Sequence, residues 1–287
     1  MKSKTIKPLV GILFIFLLTS FVFPGQPQEK GNTIEAAWTV DVCNAPNRAF
    51  QDGEEITYKI YYNWNFVWLS AGEVTFRVRE LNSQYHFSVK GRTYSSYEWF
   101  YKVRDNYDTY VDKTTLLPAV SIRDVNEGKY TLYDKVTFDR KKNIASSFRG
   151  KTRDKAQTTD YPVESCMHDI LSIIYYLRNV DFNRLSPGSD IPIKIFMDKE
   201  TWPLKVRYYG KEEQTKIKGH GKCKTIHFGP QVIEGYIFKE DSKMNVWASD
   251  DANKVPLLIE SPLSVGSVKV ILKDYKGLKH NFTGFVD

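Results

Sequence analysis

The sequence predicts a mainly β protein: one large curved antiparallel sheet, a barrel-like or sandwich-like meander of hairpins, with one main α-helix. Three observations predict it. Polar and apolar residues alternate one by one through long stretches, the period of strands with one wet face and one dry face. The composition holds 18 Tyr, 17 Phe and 6 Trp among 287 residues, side chains that suit pleated, half-buried surfaces. A turn motif recurs three times.

The alternation starts after Phe50. Ile56, Tyr58, Ile60 and Tyr62 fall on one face, and Thr57, Lys59 and Asn63 on the other. Val74, Phe76 and Val78 then alternate with Thr75, Arg77 and Arg79, and Tyr85, Phe87 and Val89 with His86, Ser88 and Lys90. The same period returns at Val268, Val270 and Leu272.

The recurring motif spans Val111–Pro118, Met197–Pro203 and Ser249–Pro256. Asp bonds the backbone of its own turn, and Pro avoids central ladder positions. Each copy therefore reads as a strand, an Asp-initiated turn, an apolar plug (Leu117, Trp202 or Val255), a Pro and a return strand. Uneven spacing between the copies argues against a solenoid.

One segment has helical period. Ile170, Ile174 and Leu177 share a face that Leu171 and Ile173 widen, and Arg178 lies near its end. Ser165 is the expected N-cap, with Asp169 in the first turns. Such a face suits docking into the concave side of a sheet.

The N-terminus carries the export pattern. Lys2, Lys4 and Lys7 precede an apolar run from Leu9 to Phe23, which Pro24-Gly25 ends. The run is shorter than the ~20 residues of a comfortable membrane span. No Cys follows it closely enough for lipidation, and no later run is long enough to span. We read residues 1–25 as a signal peptide, 26–46 as a linker with a first short strand near Trp38–Val42, and 47–287 as a single β-rich domain. Removing residues 1–25 lowers the net charge from +7 to +4, with 38 basic residues against 34 acidic. That modest, dispersed excess argues against a nucleic-acid partner. The 3 cysteines of an exported chain allow one internal disulfide. Any of three pairings is open; the expectation is Cys43–Cys223, with Cys166 a buried thiol.

The segments Phe50–Tyr58, Tyr62–Glu73, Tyr101–Asp105 and Val246–Pro256, together with Leu171–Arg178, resemble the exported bacterial proteins grouped as domain of unknown function family 3108. The resemblance covers about residues 48–276. It implies an exported barrel-like or sandwich-like β domain, periplasmic or outer-envelope associated, commonly in Gram-negative bacteria. It implies no reaction. A looser, purely architectural likeness to periplasmic lipoprotein carriers points to apolar ligands.

Several groups of residues carry candidate binding chemistry. An aromatic band of Trp64, Trp68, Tyr94, Tyr97, Trp99, Phe100 and Tyr101 offers flat rings for a lipid or glycan, or else packs as core. Arg104, beside Asp105, offers bidentate anion binding or a structural ion pair. From these we take Trp64, Trp68, Tyr94, Trp99 and Arg104 as the candidate ligand-binding set. His220, Cys223 and His227 brush against zinc spacing, and Asp250, Asp251 and Asn253 against calcium, but turn and strand roles explain both groups. No catalytic, cofactor or metal motif is present, and His168-Asp169 is not a dyad because adjacent helix residues diverge. The expectation is a non-enzymatic envelope protein that binds an apolar or glycan-like ligand in a β-barrel-type concavity. The alternatives are an interaction module, with an envelope protein as partner, and a hydrolase of unrecognised type.

Overall fold

The structure is a computed structural model and describes residues 43–64, 67–99, 101–232, 243–263 and 266–286, with Trp64 described by its backbone. The expected signal peptide and the short strand near Trp38–Val42 lie outside the described residues.

The described strands form one 15-stranded sheet. In chain order they are β1 (Glu55–Trp64), β2 (Val67–Glu80), β3 (Gln84–Thr93), β4 (Arg104–Asp112), β5 (Pro118–Glu127), β6 (Tyr130–Asp139), β7 (Ile144–Gly150) and β8 (Gln157–Pro162). After helix α1 (Ile170–Leu177) come β9 (Asp190–Met197), β10 (Glu200–Ile217), β11 (Gly221–Pro230), β12 (Asn245–Ser249), β13 (Pro256–Pro262), β14 (Ser267–Lys276) and β15 (Phe285–Val286). The spatial order runs β8 to β1, then β14 back to β9, with β15 on β11. All strand pairings are antiparallel.

β8 and β9 are therefore the two ends of the main path, and the chain passes from one to the other through α1. The sheet is curved but not closed. His168 bridges to Ile195 along the edge of β9. Phe196 of β9 meets Phe138 and Tyr161 at centroid distances of 6.1 and 5.7 Å. A small cluster of Val136, Ala145, Met167 and Phe196 thus fills the space between the two edges.

The period-two reading holds. Ile56, Tyr58, Ile60, Tyr62, Val74, Phe76, Val78, Phe87, Val89, Val268, Val270 and Leu272 are all buried in the main core. Inward side chains leave water while their neighbours stay solvated, which sets the register of each pair.

The first and third turn motifs behave alike. Asp112 Oδ1 accepts from the amides of Thr114 and Thr115, and Asp251 Oδ1 from those of Asn253 and Lys254. Both turns end on a left-handed residue, Leu116 (φ 56°) or Lys254 (φ 46°), followed by a buried plug, Leu117 or Val255, and then Pro. The middle copy differs. Asp198 and Lys199 form a two-residue turn with φ 52° and 74°, the tight hairpin geometry whose twist matches the flanking strands. Trp202 and Pro203 consequently lie inside β10, paired with Ile195 and Lys194. The Asp198 side chain points inward and is buried.

Two expectations are corrected. The helix N-cap is Asp169, not Ser165: Asp169 Oδ1 accepts from the Ser172 amide at 2.9 Å, and Ser172 Oγ accepts from the Asp169 amide at 3.0 Å. Residues just before it cannot be helical because the His168 amide and carbonyl are bonded to β9. The disulfide joins Cys43 to Cys166, with Cα atoms 4.7 Å apart, and Cys223 is the buried free thiol. Cys223 is packed in the main core from β11, a placement that a sequence without tertiary contacts does not reveal.

Candidate functional site

α1 lies on the concave side of the sheet, and its flanks meet different walls. On one side a cavity of about 210 Å³ opens between the helix and the sheet. Ile170, Ile173, Ile174 and Leu177 form its helical wall. Ile56 and Tyr58 of β1, Ile193 of β9, Phe228 of β11, Val246 of β12 and Val270 of β14 face them. These are the same alternating positions that build the core, so the cavity is a stretch of core left unfilled. Protein interiors pack at crystal-like density, with few voids larger than a water, and an apolar void of this size is a site for an apolar guest. Gln231, Val232 and Met244 also line it, at the ends of the chain on either side of residues 233–242.

Two cations reach this cavity, Arg178 and Lys254. Arg178 is fully committed. It forms a two-pronged pair with Glu54, at 2.5 and 2.8 Å, and donates to the carbonyls of Asn253 and Ala49. Burial opposes its charge, but Glu54 holds it ionised. Burial likewise pushes the Tyr58 hydroxyl well above its ordinary pKa.

The other flank is polar. On β4 to β7 the inward positions include the buried Asp105, Tyr107, Thr109, Ser121, Arg123, Glu127, Asp134 and Ser147, interspersed with apolar residues such as Val125 and Val136. Asp169 accepts from the hydroxyls of Thr109 and Ser121 at 2.5 and 2.9 Å. Arg123 bridges Asp134 and Asp198 at 2.6 and 2.8 Å, and Arg149 contacts the same two carboxylates at 2.7 and 2.8 Å. Burial raises the Asp134 pKa, but the two guanidiniums outweigh it and hold the carboxyl below its usual range. At one end Asp105 and Glu127 face each other. Burial raises both, Asp105 to about 6 and Glu127 further, so the pair retains a proton. The free space within this polar region, beside Asp169 and Arg123, amounts to about 10 Å³, room for about one water.

Four of the five candidate residues have described side chains, and none of those four lines the cavity. They lie at the end of the sheet where β1 turns into β2. Trp68 is 40% and Trp99 83% exposed. Lys269 Nζ sits 4.9 Å over the Trp68 ring. Tyr94 donates to Glu73 at 2.5 Å, and Arg104 pairs with Glu98. The Trp64 side chain falls outside the described residues. Of the metal candidates, Cys223 is buried in the core, His227 stacks on Trp247 at 4.4 Å, and Asp250 pairs with Lys211. Sequence reasoning missed Lys254. The available signal was its place two residues before Pro256, where the first copy of the motif carries Leu116.

A profile of DUF3108, a protein family of unknown function, matches residues 57–273. The chain belongs to the DUF3108 family. A crystal structure of a β-barrel-like protein of domain of unknown function DUF1849 from Brucella abortus superposes with a TM-score of 0.53 at 9% identity, covering 78% of this chain and 97% of that one. That likeness shows a shared fold. A candidate lipoprotein from Parabacteroides distasonis aligns over 79% of this chain and 97% of its own at 13% identity, with a TM-score of 0.29. No curated protein matches the sequence. Among the described residues no helix is long and apolar enough to cross a membrane.

Proposed function

We propose that this DUF3108 member is an exported, non-enzymatic envelope protein that holds an apolar ligand between α1 and the concave face of its sheet. The observation that carries the reading is the 210 Å³ apolar cavity. Leaving that much core empty forfeits dispersion contacts around the whole lining. A guest that restores them gains the corresponding burial free energy, about 25 cal/mol per Å² of apolar surface. A glycan fits less well, because its many hydroxyls need partners that a wall made mostly of Ile, Leu, Phe and Val supplies only at a few points. A hydrolase would present two convergent acids to a substrate; Asp105 and Glu127 converge, but they are 3% and 0% exposed and outside the cavity. The basic and apolar N-terminus supports export.

The test is native mass spectrometry of residues 26–287 purified from an exporting host, followed by solvent extraction. A co-purifying apolar molecule supports the reading. A ligand-free protein that also fails to take up an added alkyl compound overturns it.

A second reading has its own observation. Val67, Trp68, Leu69 and Trp99 expose apolar surface at one end of the sheet, with Val67 at 57%. Exposed apolar patches mark interaction sites, so this end is the surface an envelope partner would use. Loss of co-purification in Trp68→Ser, Trp99→Ser, with ligand content unchanged, separates this surface from the cavity.

A further inference from the structure

Lys254 is out of place in an apolar wall. It sits on the left-handed residue of the third turn motif (φ 46°), a conformation uncommon for a lysine. The corresponding residue of the first motif, Leu116, has the same conformation and is completely buried. One hairpin therefore closes with an apolar residue, and its sibling puts a cation beside the cavity.

The position is held firmly. Asp251 Oδ1 accepts from the Lys254 amide at 3.1 Å, and the neighbouring Asn253 carbonyl accepts from Arg178 Nε at 2.9 Å. The turn is thus tied to the C-terminal end of α1. Three aspartates lie near enough to influence the amine, Asp181, Asp250 and Asp251, and burial depresses its pKa against their pull. Each of them is engaged elsewhere. Asp250 pairs with Lys211 at 2.9 Å, Asp181 with Arg184 at 3.2 Å, and Asp251 accepts from the turn amides and Ser249 Oγ. Among the described residues no carboxylate forms an ion pair with Lys254. Of the two cations at the cavity, Arg178 is saturated and Lys254 has its pairing capacity in hand.

We infer that the ligand is an amphiphile with a single alkyl chain and an anionic head, its tail in the cavity and its head at Lys254. This rests on the cavity reading above and specifies the ligand class. At about 10–15 Å³ of free space per water-sized group, a cavity of about 210 Å³ takes at least about fourteen such groups. That volume holds the whole tail of an eight-carbon amphiphile and most of a longer chain. A half-buried ammonium next to an apolar wall favours a carboxylate or phosphate over a hydroxyl, because a charge-assisted contact is about twice as strong as a neutral one.

The experiment is calorimetric titration of the protein with octanoate, octyl phosphate and 1-octanol, on wild type, Lys254→Asn and Lys254→Arg. Asn tolerates the left-handed conformation, so Lys254→Asn removes the charge without straining the turn, and its melting curve verifies the fold. The expected result is that wild type prefers an anionic ligand over 1-octanol by about tenfold, that Lys254→Asn abolishes this preference with octanol affinity unchanged, and that Lys254→Arg keeps it. The stronger of octanoate and octyl phosphate identifies a carboxylate or a phosphate head, and either supports the assignment. Equal affinity of wild type for octanol and both anions overturns the head-group assignment and leaves the apolar site standing. Failure of all three to bind overturns the assignment and the cavity reading together.

Discussion

The two flanks of α1 show how one alternating pattern produces two unlike interiors. Toward β1 and β9 to β14 the inward residues are mostly Ile, Val, Leu and Phe, and they leave a void. Toward β4 to β7 the inward residues include Asp105, Thr109, Arg123, Glu127 and Asp134, and the space is filled by charge pairs and hydroxyl contacts. The helix itself divides them: Asp169 at its start bonds into the polar side, and Ile173 and Ile174 face the void. An apolar wall tolerates a missing atom, because dispersion is spread over many weak contacts. A buried charge tolerates nothing missing, because its desolvation is offset by a few partners. The polar flank is therefore suited to rigidity and the apolar flank to accommodating a guest.

The sharpest way to break this comparison is Arg123→Met. It leaves Asp134 and Asp198 buried with Arg149 as their remaining cation. A loss of about 3–5 kcal/mol in urea unfolding is expected; a loss below ~1 kcal/mol would show that the charges are relaxed into solvent. A smaller effect is expected from Thr109→Val, which keeps the shape and removes one donor from Asp169. Its cost should be about 1–3 kcal/mol by the same measurement.

On the apolar side, Val246→Phe adds volume where the void already exists. Overpacking a filled core costs about 1–3 kcal/mol. Here the cost should fall below ~1 kcal/mol, while uptake of octanoate is lost in calorimetry. A large destabilisation instead would mean that the void is not available space.

The smallest effect concerns the carboxyl pair. Burial raises both groups above their unfolded values of 3.8 and 4.5, so the native state binds more protons than the unfolded one. The pair's own contribution to stability is then fully present below about pH 4 and declines as pH rises, through the Asp105 value of about 6 and on toward the higher Glu127 value. Glu127→Gln mimics the protonated acid, so its stability should match wild type below about pH 4 and exceed it increasingly toward neutral pH, with a shallower decline over pH 4–7. A steeper decline in the variant would show that Glu127 is ionised in the native protein.

Much of the fold was legible. Residues such as Ile56, Phe76, Phe87 and Val270 announce their facing through a period of two, because alternate side chains of a strand necessarily point to opposite sides. The Asp-to-Pro turns at Val111–Pro118 and Ser249–Pro256 were legible because an Asx turn is made by neighbours in sequence. The middle copy was not, because its Asp198 is drawn into an ion cluster contributed by β5, β6 and β7. The aromatic band pointed to exposed rings at Trp68 and Trp99, and the cavity lies elsewhere, because a void is a property of how distant side chains fail to fill space.

What the sequence determined by itself is local: strand facing, turn chemistry, the helical face of Ile170, Ile174 and Leu177, and membership of a family of β domains. These follow from interactions within a few residues, or from one repeating period. The tertiary structure alone decided the Cys43–Cys166 pairing, the Glu54–Arg178 bridge, the division into polar and apolar flanks, and the position of Lys254 beside the cavity. Each of these depends on which remote strands the curved sheet brings together. The alternation says which side chains point inward; only the order and curvature of the sheet say which of them meet.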